Sequence, residues 1–201
     1  MDSAVGSLRA DMVRPTASNT ADRAPSDPWD RIRSSLPSSA VIDELLDLAS
    51  VEPIVDPDEA PEVDLKQLTK QANLKVKYVV APTVHGIDPA KLTIFVPSVF
   101  ARWDERFAIA RGVAENAIAT VCADCRANED ADCGHSKELT KLVNKPLPIQ
   151  IDAVASAILM PTEALKVQIE EIGNEPDRLA SAFSVPIPAA KLRLLTPGVT
   201  A

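Results

Sequence analysis

A chain of 201 residues, 46% of them hydrophobic, can bury one sizeable core, and its formal net charge of −8 argues against a surface built to neutralise phosphates. No run of 18 apolar residues is available to span a membrane, and the opening MDSAVGSLRADMVRP lacks the basic-then-apolar order of a secretion signal. Aromatic residues reach only 3%, so the core has to be assembled from Ala, Val, Leu and Ile; three cysteines confined to residues 122–133 do not form a secreted disulfide framework, and a cytoplasmic protein is the expectation.

Residues 1–60 are read as a flexible, acidic, Pro/Ser-rich arm holding short helices, because their composition offers little apolar surface to offset the entropy of ordering. Within it, PWDRIRSSL (28–36) spaces Trp29, Ile32 and Leu36 at near-helical intervals. That patch is either a fluctuating turn or a short linear segment that folds against a partner or against the chain's own domain. AVIDELLDLAS (40–50) suits an amphipathic helix with Val41, Leu45, Leu46 and Leu48 on or near one face, and an ordered arm is expected to dock on another chain. VEPIVDPDEAPEVD (51–64) is an acidic linker. No lysine precedes Lys66, so the change of composition coincides with the change of pattern, and the folded domain is placed at 61–197.

From there the pattern gives a helix over 63–74 capped by Asp64, a half-buried strand over 74–80 and a second over 91–97. A long helix over 104–122 carries an apolar stripe of Phe107, Ala110, Ala114, Ala117 and Val121. Helices follow over 150–159 and 162–172, the latter with Thr162 as N-cap, then over 176–183 and 188–195, each opened by a proline. The order predicts a small α+β domain.

The loop CADCRANEDADCGH places Cys122, Cys125, Cys133 and His135 within fourteen residues. Four soft or borderline ligands at this spacing suit a closed, structural zinc site rather than a catalytic one, which would need an open position. A redox pair at Cys122 and Cys125, or three reduced thiols and a histidine brought together by chance, remain alternatives. The other histidine, His85, sits in a turn-rich loop and is read as a surface residue.

Taken in order, several pieces between about 63 and 195 resemble the ImmA/IrrE family of metallopeptidases. DLKQLTKQANLKVKYVV and TIFVP are similar to its leading helix and strands. RFAIA (106–110) resembles the lead-in to its His-Glu-x-x-His helix, ASAILMP (155–161) its Ala-rich helix ending in Leu-Leu-Met-Pro, and LASAFSVPIPAAKLRLL (179–195) its closing segment. The resemblance implies a zincin-like domain, with a short antiparallel sheet packed on a long central helix and a C-terminal helical bundle. It also implies zinc ligands at the positions of Arg111 and Glu115, a general base at Gly112, and a further acidic ligand for which Asp152 is the only acid in QIDAVASA. Arginine cannot ligate zinc and glycine cannot take a proton from water. Arg111 and Glu115, four residues apart, read instead as a helical ion pair.

What this implies is a degenerate peptidase whose vestigial cleft holds Arg111, Glu115 and Asp152: a non-catalytic protein-binding or regulatory module with a structural zinc loop. Members of the family act beside helix-turn-helix regulators, which makes such a regulator, or a subunit of an assembly, the expected partner. A metal-dependent hydrolase with a rebuilt site and a structural subunit of a phage-like or other large assembly are the alternative functions. Direct nucleic-acid binding through 179–195 is disfavoured by Pro186, Pro188 and the acidic total.

Overall fold

A computed structural model of the chain describes residues 28–55, 61–80, 86–127 and 135–199. Residues 1–27 of the expected arm, His85 and Cys133 lie outside the described residues, as does the side chain of Cys125. The fold is α+β, a small three-stranded sheet laid on one side of a long helix with further helices on the other. Among the described residues, no helix is long and apolar enough to cross a membrane.

Helix α4 (Arg102–Ala127) is the axis of the domain. The face carrying Ala110, Val113, Ala114, Ala117 and Val121 is fully buried, as the alternation of small residues requires when a second helix lies close against it. That second helix is α6 (Pro148–Leu159), whose Ala153, Ala155 and Ala157 are equally small and equally buried. Before α4 come α3 (Leu65–Gln71), β1 (Lys75–Val79), β2 (Gly86–Asp88) and β3 (Thr93–Pro97). Asp64 caps α3 as expected, accepting hydrogen bonds from the amides of Lys66 at 2.9 Å and Gln67 at 3.0 Å.

The two strands legible in the sequence do not pair antiparallel. β1 and β3 run parallel, with Val76 opposite Ile94, and the antiparallel pairing is supplied by β2, which lies on the far side of β3 with Ile87 opposite Ile94. The reason is topological: the chain reverses twice between β1 and β3, the second time in a turn where Asp88 Oδ1 accepts from the amides of Ala90 and Lys91. β3, central and bearing the buried Ile94 and Val96, packs against α4, as does its neighbour β2.

The expected boundary at 61 does not describe the packing. Helix α2 (Ser39–Leu48) buries Val41, Ile42, Leu45 and Leu46 in the same core as α4 and α6, and Val51 joins them. Ile42 takes the buried place expected of Leu48, which is 42% exposed. Composition alone misled here, because four apolar side chains on one helical stripe suffice once a matching surface exists in the same chain. Ahead of it, α1 (Pro28–Arg33) also packs on its own chain rather than awaiting another, through Ile32 and the buried Leu36.

The remaining helices are α5 (Lys137–Asn144), α7 (Thr162–Ile172), α8 (Pro176–Ala182) and α9 (Ile187–Leu195). Thr162 is not the cap of α7; Pro161 holds that position, and the Thr162 hydroxyl accepts a 2.7 Å hydrogen bond from Arg193 Nη2. Arg193 is almost wholly buried, donates through Nε to Met160 O at 3.0 Å, and so ties α9 to the α6–α7 corner.

Because α2 belongs to the core, truncating one of its fully buried side chains has a core-sized cost. Leu45→Ala is expected to destabilise the protein by about 2–5 kcal/mol, measured by denaturant unfolding, whereas a helix docked only loosely would lose well under that.

Candidate functional site

The site begins with the way α4 lies on β3. A Cβ at Gly112 would stand 2.7 Å from both Cγ1 and Cδ1 of Ile94, closer than real side chains approach, and Ile94 has no exposed surface into which to move. Helix and strand therefore meet at glycine distance. With about 100° of rotation per residue, fixing Gly112 toward the sheet turns Arg111 and Glu115 to one flank, toward α6.

There the three residues named from the resemblance come together. Arg111 Nε lies 2.9 Å from Asp152 Oδ1 of α6, and Arg111 Nη2 lies 3.7 Å from Glu115 Oε1. The Asp152 oxygen sits off the N–H axis, so the short contact is an ion pair without a well-aligned hydrogen bond. All three side chains are about one-quarter to one-third exposed. Burial raises the Asp152 pKa above the ordinary carboxylate value, and the Arg111 charge beside it acts in the opposite direction. The arrangement holds one guanidinium between two carboxylates. It offers neither a free nucleophile nor a base at position 112, and Asp152 and Glu115 are both engaged by the same cation.

An apolar hollow of about 430 Å3 opens beside Asp152, walled by Phe107 of α4, Ile149 of α6, Leu192 of α9 and Trp29 and Ile32 of α1. The spacing in 28–36 pointed to Trp29, Ile32 and Leu36, but nothing in the sequence placed the first two at this hollow.

Of the proposed zinc ligands, Cys122 is a buried free thiol near the end of α4, and His135 lies just ahead of α5. His135 Nδ1 is 3.8 Å from Glu44 Oε1 of α2, which also accepts from the Ser136 amide at 3.4 Å. A carboxylate facing Nδ1 leaves Nε2 as the nitrogen available to ligate, the usual arrangement around metal-bound histidine. The other two proposed ligands, the side chain of Cys125 and Cys133, lie outside the described residues. Among the described residues alone, no three His, Cys, Asp or Glu side chains form a metal-holding group.

Two charge clusters escaped the sequence reading. Glu62 receives Arg102 Nη2 at 2.7 Å and Arg106 Nη1 at 3.5 Å, and accepts a hydrogen bond from the Ser184 hydroxyl. Burial pushes its pKa upward, but the Ser184 hydrogen bond and the two arginines outweigh that and leave it low. Arg193 is lowered to about 10 by burial, with Asp43 opposing the shift. Both clusters join elements distant in sequence.

No protein-family model and no curated protein matches the sequence.

The Arg111–Asp152 pair carries a pH signature. In Arg111→Met, burial acts on Asp152 without its counter-charge, so the folded-state pKa rises further. A carboxylate raised on folding contributes stability below its unfolded value of about 3.9 and loses it as pH climbs through the folded value. Relative to the unaltered protein, Arg111→Met should therefore lose stability progressively from about pH 4 toward neutrality. Urea titrations across that range test this; a difference that does not change with pH would show that Asp152 does not depend on Arg111.

Proposed function

We propose that the chain is a non-catalytic protein-binding or regulatory module on a frame like that of an ImmA/IrrE peptidase, with a structural zinc loop at Cys122, Cys125, Cys133 and His135. Its partner is a helix-turn-helix regulator or an assembly subunit. The observation that carries the reading is the convergence of Arg111, Glu115 and Asp152, 41 residues apart in sequence at the extremes, on one point between α4 and α6. A guanidinium there supplies the positive charge that two carboxylates require. It supplies no Lewis acidity and no bound water of lowered pKa, the two things a catalytic zinc contributes. The closeness of Ile94 to Gly112 adds to this, since a glutamate at 112 would have no room.

Arg111→His/Glu115→His is the test. Two histidines one turn apart, with Asp152 facing them, form a three-ligand site. The variant is expected to take up one cobalt(II) ion with the visible absorption of low coordination, and to lose it when Asp152→Ala is added. The unaltered protein should cleave unfolded casein no faster with zinc than with chelator. Chelator-sensitive cleavage by the unaltered protein, or a double variant that binds no cobalt while remaining folded, would overturn the reading.

For the loop, purified protein is expected to carry one zinc by mass spectrometry and to lose it in Cys122→Ser/Cys125→Ser. Because protons compete for thiolates and for His135, the zinc should also be released on acidification. Zinc absent from protein purified without chelator, or retained by the double serine variant, would remove the loop from the proposal.

A further inference from the structure

Helix α1 is a six-residue segment, PWDRIR, too short to hold itself in water. Its order comes from the surface beneath it. Ile32 and Leu36 pack with Ala153 and Ile149 of α6 and Leu192 and Leu195 of α9, a cluster separate from the main core. Gln150 Nε2 of α6 also donates to Ser35 O at 2.9 Å. Three residues after Leu36 the chain enters α2, which is anchored in the main core. The segment is thus a small ligand on a short tether.

It also fills its seat incompletely. The 430 Å3 hollow lies on one side of Trp29, and a second of about 270 Å3, walled by Trp29, Pro176, Leu194 and Leu195, lies on the other. Trp29 itself is 45% exposed between them. A groove with apolar room to either side of its resident aromatic accepts a longer or bulkier helix of the same pattern. A satellite cluster of this kind opens far below the cost of global unfolding.

We propose that the groove between α6 and α9 is a docking site for a short amphipathic helix of a partner protein. That helix presents an aromatic residue followed by an aliphatic residue three positions on, with a second aliphatic residue four further along the chain; α1 and the turn after it occupy the site in cis with Trp29 and Ile32 of the helix and Leu36 of the turn. The proposal deepens the binding-module reading, on which it rests for the existence of a partner, by stating that partner's chemistry. The pattern of the occupant is taken from the segment seated there. The floor of the groove adjoins Asp152, so a docked helix would lie against the Arg111 ion pair.

The test uses full-length protein and a fluorescein-labelled peptide of residues 26–38, SDPWDRIRSSLPS, read by anisotropy. A cis segment on a short tether has an effective concentration on the order of millimolar, so the unaltered protein should bind the peptide weakly. Trp29→Ala/Ile32→Asp, which undocks α1, should bind it at least tenfold more tightly, and adding Leu192→Asp should abolish the gain. A peptide carrying the same two substitutions as α1 should bind neither protein. Equal affinity for undocked and unaltered protein, or a gain that survives Leu192→Asp, overturns the proposal. Should the undocked variant fail to fold, hydrogen exchange on the unaltered protein decides: excess unlabelled peptide should accelerate exchange of amides 30–36, and unchanged protection would overturn the proposal. The cobalt experiment on α4 is independent of these outcomes, so failure of the groove and failure of the peptidase-like reading are told apart.

Discussion

The distance between α4 and β3 is the constraint on which the rest of this structure turns. Where Gly112 meets Ile94, no side chain separates helix from strand, and the helix cannot rotate without driving Ile109 or Glu115 into the sheet. That fixed rotation sends Arg106 and Ile109 toward α3 and β1, and Arg111 and Glu115 toward α6. It leaves Ala110, Val113, Ala114 and Ala117 to form the opposite, buried face. A helix sandwiched in this way has little solvent-facing surface along its middle, which is why its charged residues there are paired or partly buried rather than free.

Buried or half-buried charge is then handled by joining elements. Arg111 bridges α4 and α6, while Arg106 reaches Glu62 and also donates to the backbone oxygen of Val63 at 3.2 Å. Arg193 closes α9 on the α6–α7 corner through Met160 and Thr162. Each guanidinium spends its planar fork on partners from a different element, which a lysine could not do with equal geometry. Removing one side of such a contact strands the other in a poorly solvated place, so these contacts fix arrangement more than they add net stability.

What was legible in the sequence was local. Asp64 before LKQLTKQ and the prolines opening α8 and α9 act within one turn of themselves, and they place those helices correctly. The Arg111–Glu115 pairing follows from helical spacing in the same way. β2 has only three residues and owes its conformation to pairing with β3, so no periodicity could announce it. Helix α5 did carry a signal, a Ser136 cap with Leu139, Leu142 and Val143 on one face, but it lies next to a cysteine loop whose spacing drew the reading toward metal chemistry. The approach of Asp152 to Arg111 and the docking of α2 depend on surfaces built by residues far along the chain. Pattern within a window cannot supply that information.

The ion pair and the apolar groove are neighbours for a physical reason. Asp152 faces Arg111 on one side and borders the hollow beneath Trp29 and Ile32 on the other, and Phe107, one turn before Arg111, forms part of the same wall. A carboxylate left unpaired at the edge of an apolar hollow would be costly to desolvate when anything docks there. Paired with Arg111, its charge is offset at that rim instead. A metal centre at this place would demand water and an open coordination position beside the hollow. A guanidinium between two carboxylates demands neither, so apolar side chains can close over it. On the proposed reading, the residues that take the place of a metal centre in this cleft are those that let a docked helix close over it.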